Sequence, residues 1–382
     1  MPLFAWVAIV VSSIAAMPGN VLPVLTTLIG SHHHLNEATV GYLISVNTFA
    51  GLLTSAAGPY WIGRVRYRPL LAVCFALQAL TLLGLGFSRG LPALLAVQVV
   101  GGVSAMVIAS VTQTIFAELP RPERAFGIKI STDMTFAGLF LVAVPVARLG
   151  LPGFVALLAI PFALSAIASR LLPEKLDDRH VRRIDVGAIR RGLLGGAPPA
   201  VWATLIAIAV FNVGGVGVWT FVGHFATGAG LSEDGVANAV SVGLFSGIVG
   251  ALGAAALAGR AGIAPEMVTG IGFLLSMPAF ALARNPAEFT AANVALNVCW
   301  NFVGPFLVGI VARRDATRRL NSLIPAAVMV GGIVGPPLTG TLLHETTSLA
   351  TALTMMAIAA PSIVAYAILK RWPPATAAAN PT

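Results

Sequence analysis

The sequence predicts an all-α polytopic membrane protein: twelve transmembrane helices in two pseudo-symmetric six-helix bundles. Three observations carry this reading. Of the 382 residues, 57% are hydrophobic and only 10% are charged, whereas a soluble domain carries about 25% charged residues. Cutting the chain at charges and turn residues leaves twelve apolar stretches, each long enough for a hydrocarbon core about 30 Å thick at 1.5 Å per residue. The two halves also repeat one another at a fixed offset of 196 residues.

In order, segments 1 to 6 cover 3–30, 38–62, 69–88, 91–117, 125–148 and 152–172, and segments 7 to 12 cover 199–227, 235–259, 264–283, 287–311, 321–343 and 348–369. Segment 1 is too long for a signal-peptide core and has neither a basic start nor a small-residue cleavage site, so it is expected to remain as a helix. Segment 2 opens at Asn36-Glu37, a good N-cap followed by an acid at the positive helix end; segment 8 opens at Ser232-Glu233 in the same way, 196 residues later. Gly63-Arg64 closes segment 2 and Gly259-Arg260 closes segment 8 at the same offset. Turn signals at 64–69, 88–92, 120–124, 149–152 and 259–265 end the other segments named by them. The stretch 173–198, rich in Arg and Asp, reads as a linker between a bundle over 1–172 and a bundle over 199–382.

The formal charge of +9 would suggest nucleic acid in a soluble protein, but here it encodes topology. Arg64, Arg66, Arg68, Arg121, Arg124, Lys129, Arg170, Lys175, Arg179, Arg182, Arg183, Arg190, Arg191, Arg260, Arg313, Arg314, Arg318, Arg319, Lys370 and Arg371 fall on the side of the chain termini, leaving only Arg89, Arg148 and Arg284 of the 23 basic residues for the other side. Basic loops stay in the cytoplasm, so both termini are expected there, in the inner (plasma) membrane, with no nucleic-acid partner. Cys74 and Cys299 lie in apolar stretches, which excludes a disulfide framework and a cysteine metal site; no cofactor is expected.

These features resemble the major facilitator superfamily (MFS) of secondary transporters over essentially the whole chain. The turn after segment 8, Leu257-Ala258-Gly259-Arg260-Ala261-Gly262, is similar to the family's G-x-L-A-D-R-x-G-R-R pattern with Gly259 in place of the acid; Trp61-Ile62-Gly63-Arg64-Val65-Arg66 after segment 2 is looser and also lacks the acid. The resemblance implies alternating access of a small-molecule substrate between the two halves, acting as a monomer, with a cytoplasmic gate. In this chain Glu118 with Arg64 or Arg66, and Asp315 with Arg260, are candidates for that gate.

Ionisable groups inside the apolar spans are functional candidates, because burying them is costly. Asp133 lies about two turns into segment 5 with Lys129 on the same face. Burial and a nearby ammonium act on a carboxyl in opposite directions, which suits a group that loads and releases a proton; a structural Lys–Asp pair is the alternative. His224, in the outer third of segment 7, suits a proton relay or an outer gate. The run His32-His33-His34 reads as a solvated outer loop. Mid-depth amides and indoles are the candidate substrate contacts: Asn20, Asn47, Gln98, Gln113, Asn212, Trp219, Asn297, Trp300 and Asn301. Several fall in segments 1, 4, 7 and 10, which the resemblance makes cavity-lining.

The drug-antiporter patterns of the family are missing: Gln98 stands where those proteins carry an Arg, and segment 5 lacks their Gly/Pro run. Proton-coupled uptake of an organic acid or similar metabolite is therefore favoured over efflux. An intramembrane enzyme is the remote alternative, since Gly243-Leu244-Phe245-Ser246-Gly247 is one residue out of register for a rhomboid-like serine site, and no phosphate loop or zinc spacing occurs.

Overall fold

The structure is a computed structural model that describes residues 1–62, 64–119, 122–174, 199–257, 263–314 and 323–371. Most of the linker 173–198 lies outside them. Among the described residues twelve helices are long and apolar enough to cross a membrane. Ten spans are single helices: α3 (Glu37–Trp61), α4 (Tyr67–Phe87), α5 (Leu91–Ala117), α6 (Pro122–Ala143), α7 (Val146–Ala168), α10 (Glu233–Leu257), α11 (Ala264–Leu282), α12 (Pro286–Arg314), α13 (Ile324–Glu345) and α14 (Ser348–Arg371). Two spans are broken. The first runs as α1 (Leu3–Asn20) and α2 (Leu22–His33), and the seventh as α8 (Pro199–Thr220) and α9 (Val222–Gly228). An even number of crossings puts both ends of the chain on one side, the terminal face.

The repeat is visible in the coordinates. α3 and α10 are each 25 residues long and start 196 residues apart. Asn36 caps α3 through Oδ1, which accepts from Thr39 N at 2.9 Å, and Ser232 Oγ accepts from Gly235 N at 3.2 Å ahead of α10. One expected boundary moves. The turn foreseen at 149–152 splits in two: α6 ends at Ala143, and Gly150 (φ +57°, ψ −168°) breaks the first turn of α7. Pro145 restricts Val144 and ends α6, and Gly150 takes the positive φ that glycine adopts without strain, so the chain bends twice where one stop was expected.

Large apolar side chains such as Phe87, Leu164, Ile206, Val249 and Val268 point outward, fully consistent with a lipid surround. The inside is built on small residues that bring backbones together. Gly102 of α5 packs against the backbone carbonyl of Asn47 on α3, and Gly250 of α10 against that of Val298 on α12. The two halves use the same interface with the partners exchanged. Asn47 faces Gly101 in the first half; 196 residues on, Gly243 faces Asn297. The amide and the glycine have traded helices, and the close approach is kept.

Between the halves, α3 packs along α13 and α6 along α10. Ser45 Oγ donates to Ile333 O (2.6 Å), Ser241 Oγ donates to Gly138 O (2.9 Å), and Gly41 sits on the backbone of Pro336 and Pro337. These contacts lie in the half of the membrane away from the termini. That face is closed.

Candidate proton and solute site

Asp133 lies 11 residues into α6, three turns rather than two, which places it at mid-depth. Lys129 is one turn nearer the terminal face, and its Nζ is 2.5 Å from Asp133 Oδ2. Among the described residues the other oxygen, Oδ1, is buried without a hydrogen-bond partner of good geometry, in a residue only 8% exposed whose carboxyl lies near the Ser13 hydroxyl. Buried carboxylate oxygens normally have a partner, so Oδ1 marks a place where a proton or a donor group belongs. α1 lies directly alongside: Ser13 Oγ donates to Lys129 O and Asn20 Nδ2 to Asp133 O, both at 3.4 Å. Lys129 remains partly exposed.

Asn20 sits at the break between α1 and α2, and Trp219 sits one residue from the end of α8. The indole Nε1 of Trp219 donates to Gly19 O at 3.2 Å, joining the two broken spans across the interface. Asn301 lies near the same level: Gly247 is wedged between its amide and Met134, the neighbour of Asp133. Asn20, Trp219, Asn301 and the Asp133–Lys129 pair therefore converge at the interface of the halves.

The remaining amides are engaged within the bundles. Asn47 Nδ2 donates to Gln98 O and Oε1, both at 3.1 Å. Asn212 Nδ2 donates to Ile208 O on its own helix and lies under Gly331. Asn297 Nδ2 donates to Asn293 O and Oδ1, and Asn301 Nδ2 to Asn297 O, forming a ladder along α12. Trp300 packs in an aromatic cluster with Phe211 and Phe273, at centroid distances of 6.5 and 5.8 Å. Gln113 is exposed near the terminal end of α5, away from Asp133. The sequence reading missed Asn293, fully buried with Nδ2 donating to Ala239 O at 2.6 Å, and Gln78, which donates to Gly101 O at 3.0 Å. The i, i+4, i+8 spacing of Asn293, Asn297 and Asn301 was the signal for the first.

The comparisons agree with this architecture. The model of the Major Facilitator Superfamily matches residues 6–313. The chain belongs to the Major Facilitator Superfamily. No curated protein matches the sequence. Among solved structures, a bacterial homologue of the human lysosomal transporter Spinster, inward-facing and unoccupied, superposes with a TM-score of 0.73 at 14% identity, covering 97% of this chain and 98% of that one. The nucleoside transporter NupG gives 0.74 at 14% identity (98% and 100% covered), and a D-xylose-proton symporter gives 0.73 at 15% (97% of each). Identities this low establish a shared fold.

The residues expected to form a cytoplasmic gate are partly in view. Arg66 Nε lies 3.6 Å from Glu174 Oε1, an exposed pair of little energetic weight. Arg64 is exposed in the same turn, and Glu118 caps the end of α5. Arg260 and Asp315 lie outside the described residues. At the opposite face His224 Nδ1 is 3.0 Å from Glu37 Oε1, so α9 of one half meets α3 of the other. The run His32-His33-His34 is not the loop expected: His32 and His33 form the last turn of α2, where His33 Nε2 contacts Leu85 O at 2.7 Å, and His34 ends the helix in the left-handed region (φ 52°). Among the described residues no three His, Cys, Asp or Glu side chains are grouped to hold a metal.

Proposed function

We propose that this chain moves a small organic solute across the cell's inner (plasma) membrane by alternating access, coupled to protons through Asp133. Both termini face the cytoplasm, and the molecule works as a monomer. The observation that carries the proposal is Asp133 itself: a mid-depth carboxylate at the interface of the halves, with one oxygen on Lys129 and the other buried without a hydrogen-bond partner of good geometry among the described residues. A proton arriving at Oδ1 removes the charge that holds Lys129, and Lys129 is then free to engage an anionic group of the solute. Asn20, Trp219 and Asn301 supply polar and aromatic contacts beside it. Uptake of an organic acid or similar metabolite is the favoured direction, because the antiporter patterns are missing from the corresponding spans.

A thermal-shift screen of organic acids, sugars and nucleosides against lipophilic cations identifies the solute class. Stabilisation by lipophilic cations alone overturns the uptake reading. In proteoliposomes, Asp133→Asn is expected to abolish accumulation driven by a pH gradient while leaving solute exchange intact. Accumulation at the wild-type level in that variant overturns the coupling role.

A further inference from the structure

Each broken span has a backbone carbonyl that its own helix does not serve. Pro23 has no N–H, so Gly19 O, four residues before it, cannot receive the bond an unbroken helix would provide. Its donor is Trp219 Nε1, 3.2 Å away on the other half. At the second break, His224 N–H turns back three residues to Phe221 O (2.9 Å) and leaves Thr220 O one step behind. Thr26 Oγ1 donates to Thr220 O at 2.6 Å, shorter than its contacts of 3.0 and 3.2 Å with Leu22 O and Pro23 O on its own helix. The arrangement is reciprocal: the first half supplies Thr26 to the break in the second, and the second supplies Trp219 to the break in the first. Thr26 and Thr220 are 3% and 0% exposed, so water does not serve Thr220 O in the closed face; Gly19 is exposed, and the indole of Trp219, itself 7% exposed, donates to its carbonyl from the other half. Gly223 packs against Thr27 and Pro23, which leaves no gap between α2 and α9.

We propose that Trp219 and Thr26 are positioning residues of the outer gate, each satisfying a carbonyl that a helix break frees in the opposite half. The word gate rests on the transporter reading above. Parting α1 and α2 from α8 and α9 takes both donors away together, and it leaves the buried Thr220 O unserved in a membrane interior, where that is costly. These two reciprocal bonds add to the other contacts that hold the closed face, and opening uncovers two acceptors near Asn20 on the solute pathway. Water, or a solute carrying O–H or N–H groups, then takes the place of the departed donors. Closure returns Trp219 and Thr26.

The test is a distance distribution between spin labels at Arg89→Cys and Arg284→Cys, exposed positions of the two halves on that face, in a background without Cys74 and Cys299. The protein is reconstituted in lipid without solute and read by double electron–electron resonance. Trp219→Phe keeps the ring and removes the N–H, and Thr26→Val keeps the shape and removes the hydroxyl. Each is expected to raise the outward-open fraction about fivefold relative to the closed one, the equivalent of one hydrogen bond of ordinary strength. Thr26→Ser restores the hydroxyl and is expected to return the wild-type distribution. Unchanged distributions in Trp219→Phe and Thr26→Val overturn the proposal. So does a Thr26→Ser shift equal to that of Thr26→Val, which would make the effect one of packing. Proton-driven accumulation in Asp133→Asn is read separately, so the gate and the coupling reading fail independently.

Discussion

Gly102→Ala puts a methyl group where α3 and α5 are closest. The new Cβ would lie 2.8 Å from the carbonyl carbon of Asn47 and nearer still to its oxygen. Backbone cannot rotate away as a side chain can, so the two helices must part by about 1 Å to reach ordinary van der Waals contact. The bonds from Asn47 Nδ2 to Gln98, now 3.1 Å, would then stretch to about 4 Å, beyond hydrogen-bonding range. Overpacking of this kind costs about 1–3 kcal/mol, and an interhelical hydrogen bond in a membrane adds about 0.6 kcal/mol. The expected loss is about 2–4 kcal/mol of stability, measured by SDS-titrated unfolding in mixed micelles. Gly127→Ala is the control: no atom lies within 4 Å of its Cβ position, and alanine gains up to about 1 kcal/mol of helix propensity. A Gly102→Ala protein as stable as wild type, or a Gly127→Ala protein equally destabilised, would refute the packing argument.

The same logic extends to other contacts. Asn293→Ala removes a buried donor to Ala239 O and the acceptor for Asn297; about 1–2 kcal/mol is expected to be lost in the same unfolding measurement. Glu266 is buried with Tyr366 Oη at 2.5 Å and Lys370 Nζ against it, tying α11 to α14. Glu266→Gln is expected to cost about 1–2 kcal/mol, less than a fully buried pair because Lys370 is partly exposed. His224→Ala removes the 3.0 Å contact of His224 Nδ1 with Glu37 Oε1 and should shift the spin-label distances toward the open face. Asp234 Oδ1 accepts from Ala147 N (3.0 Å) in the first turn of α7, across the halves; Asp234→Ala should loosen the same face without altering proton coupling.

The spans and the duplication could be read from the sequence because both depend on local pattern. Hydropathy sets each crossing, and the Asn36 and Ser232 caps set the start of α3 and α10 at one offset. Asp133 and Lys129 stood out because an ionisable group in an apolar run is rare. Their depth was misjudged by a turn, since the start of α6 at Pro122 adds helix ahead of the first strongly apolar residue. The amides were harder. Asn47 and Gln98 have the polarity of a binding residue, and only the packing shows that they bond to each other. The pairing of Trp219 with Gly19, or Thr26 with Thr220, depends on how two halves about 200 residues apart meet, and no local signal reports that. The expected latch of Arg260 with Asp315 lies outside the described residues.

The most direct test is the proton flux that accompanies solute movement. Proteoliposomes are loaded with a pH-sensitive dye and given an inward gradient of the solute that the thermal-shift screen identifies. Wild-type protein should acidify the lumen as solute enters, and Asp133→Asn should show no solute-dependent proton movement while still exchanging labelled for unlabelled solute. Proton movement of wild-type size in Asp133→Asn would contradict the assignment of coupling to the buried, half-partnered carboxylate of α6.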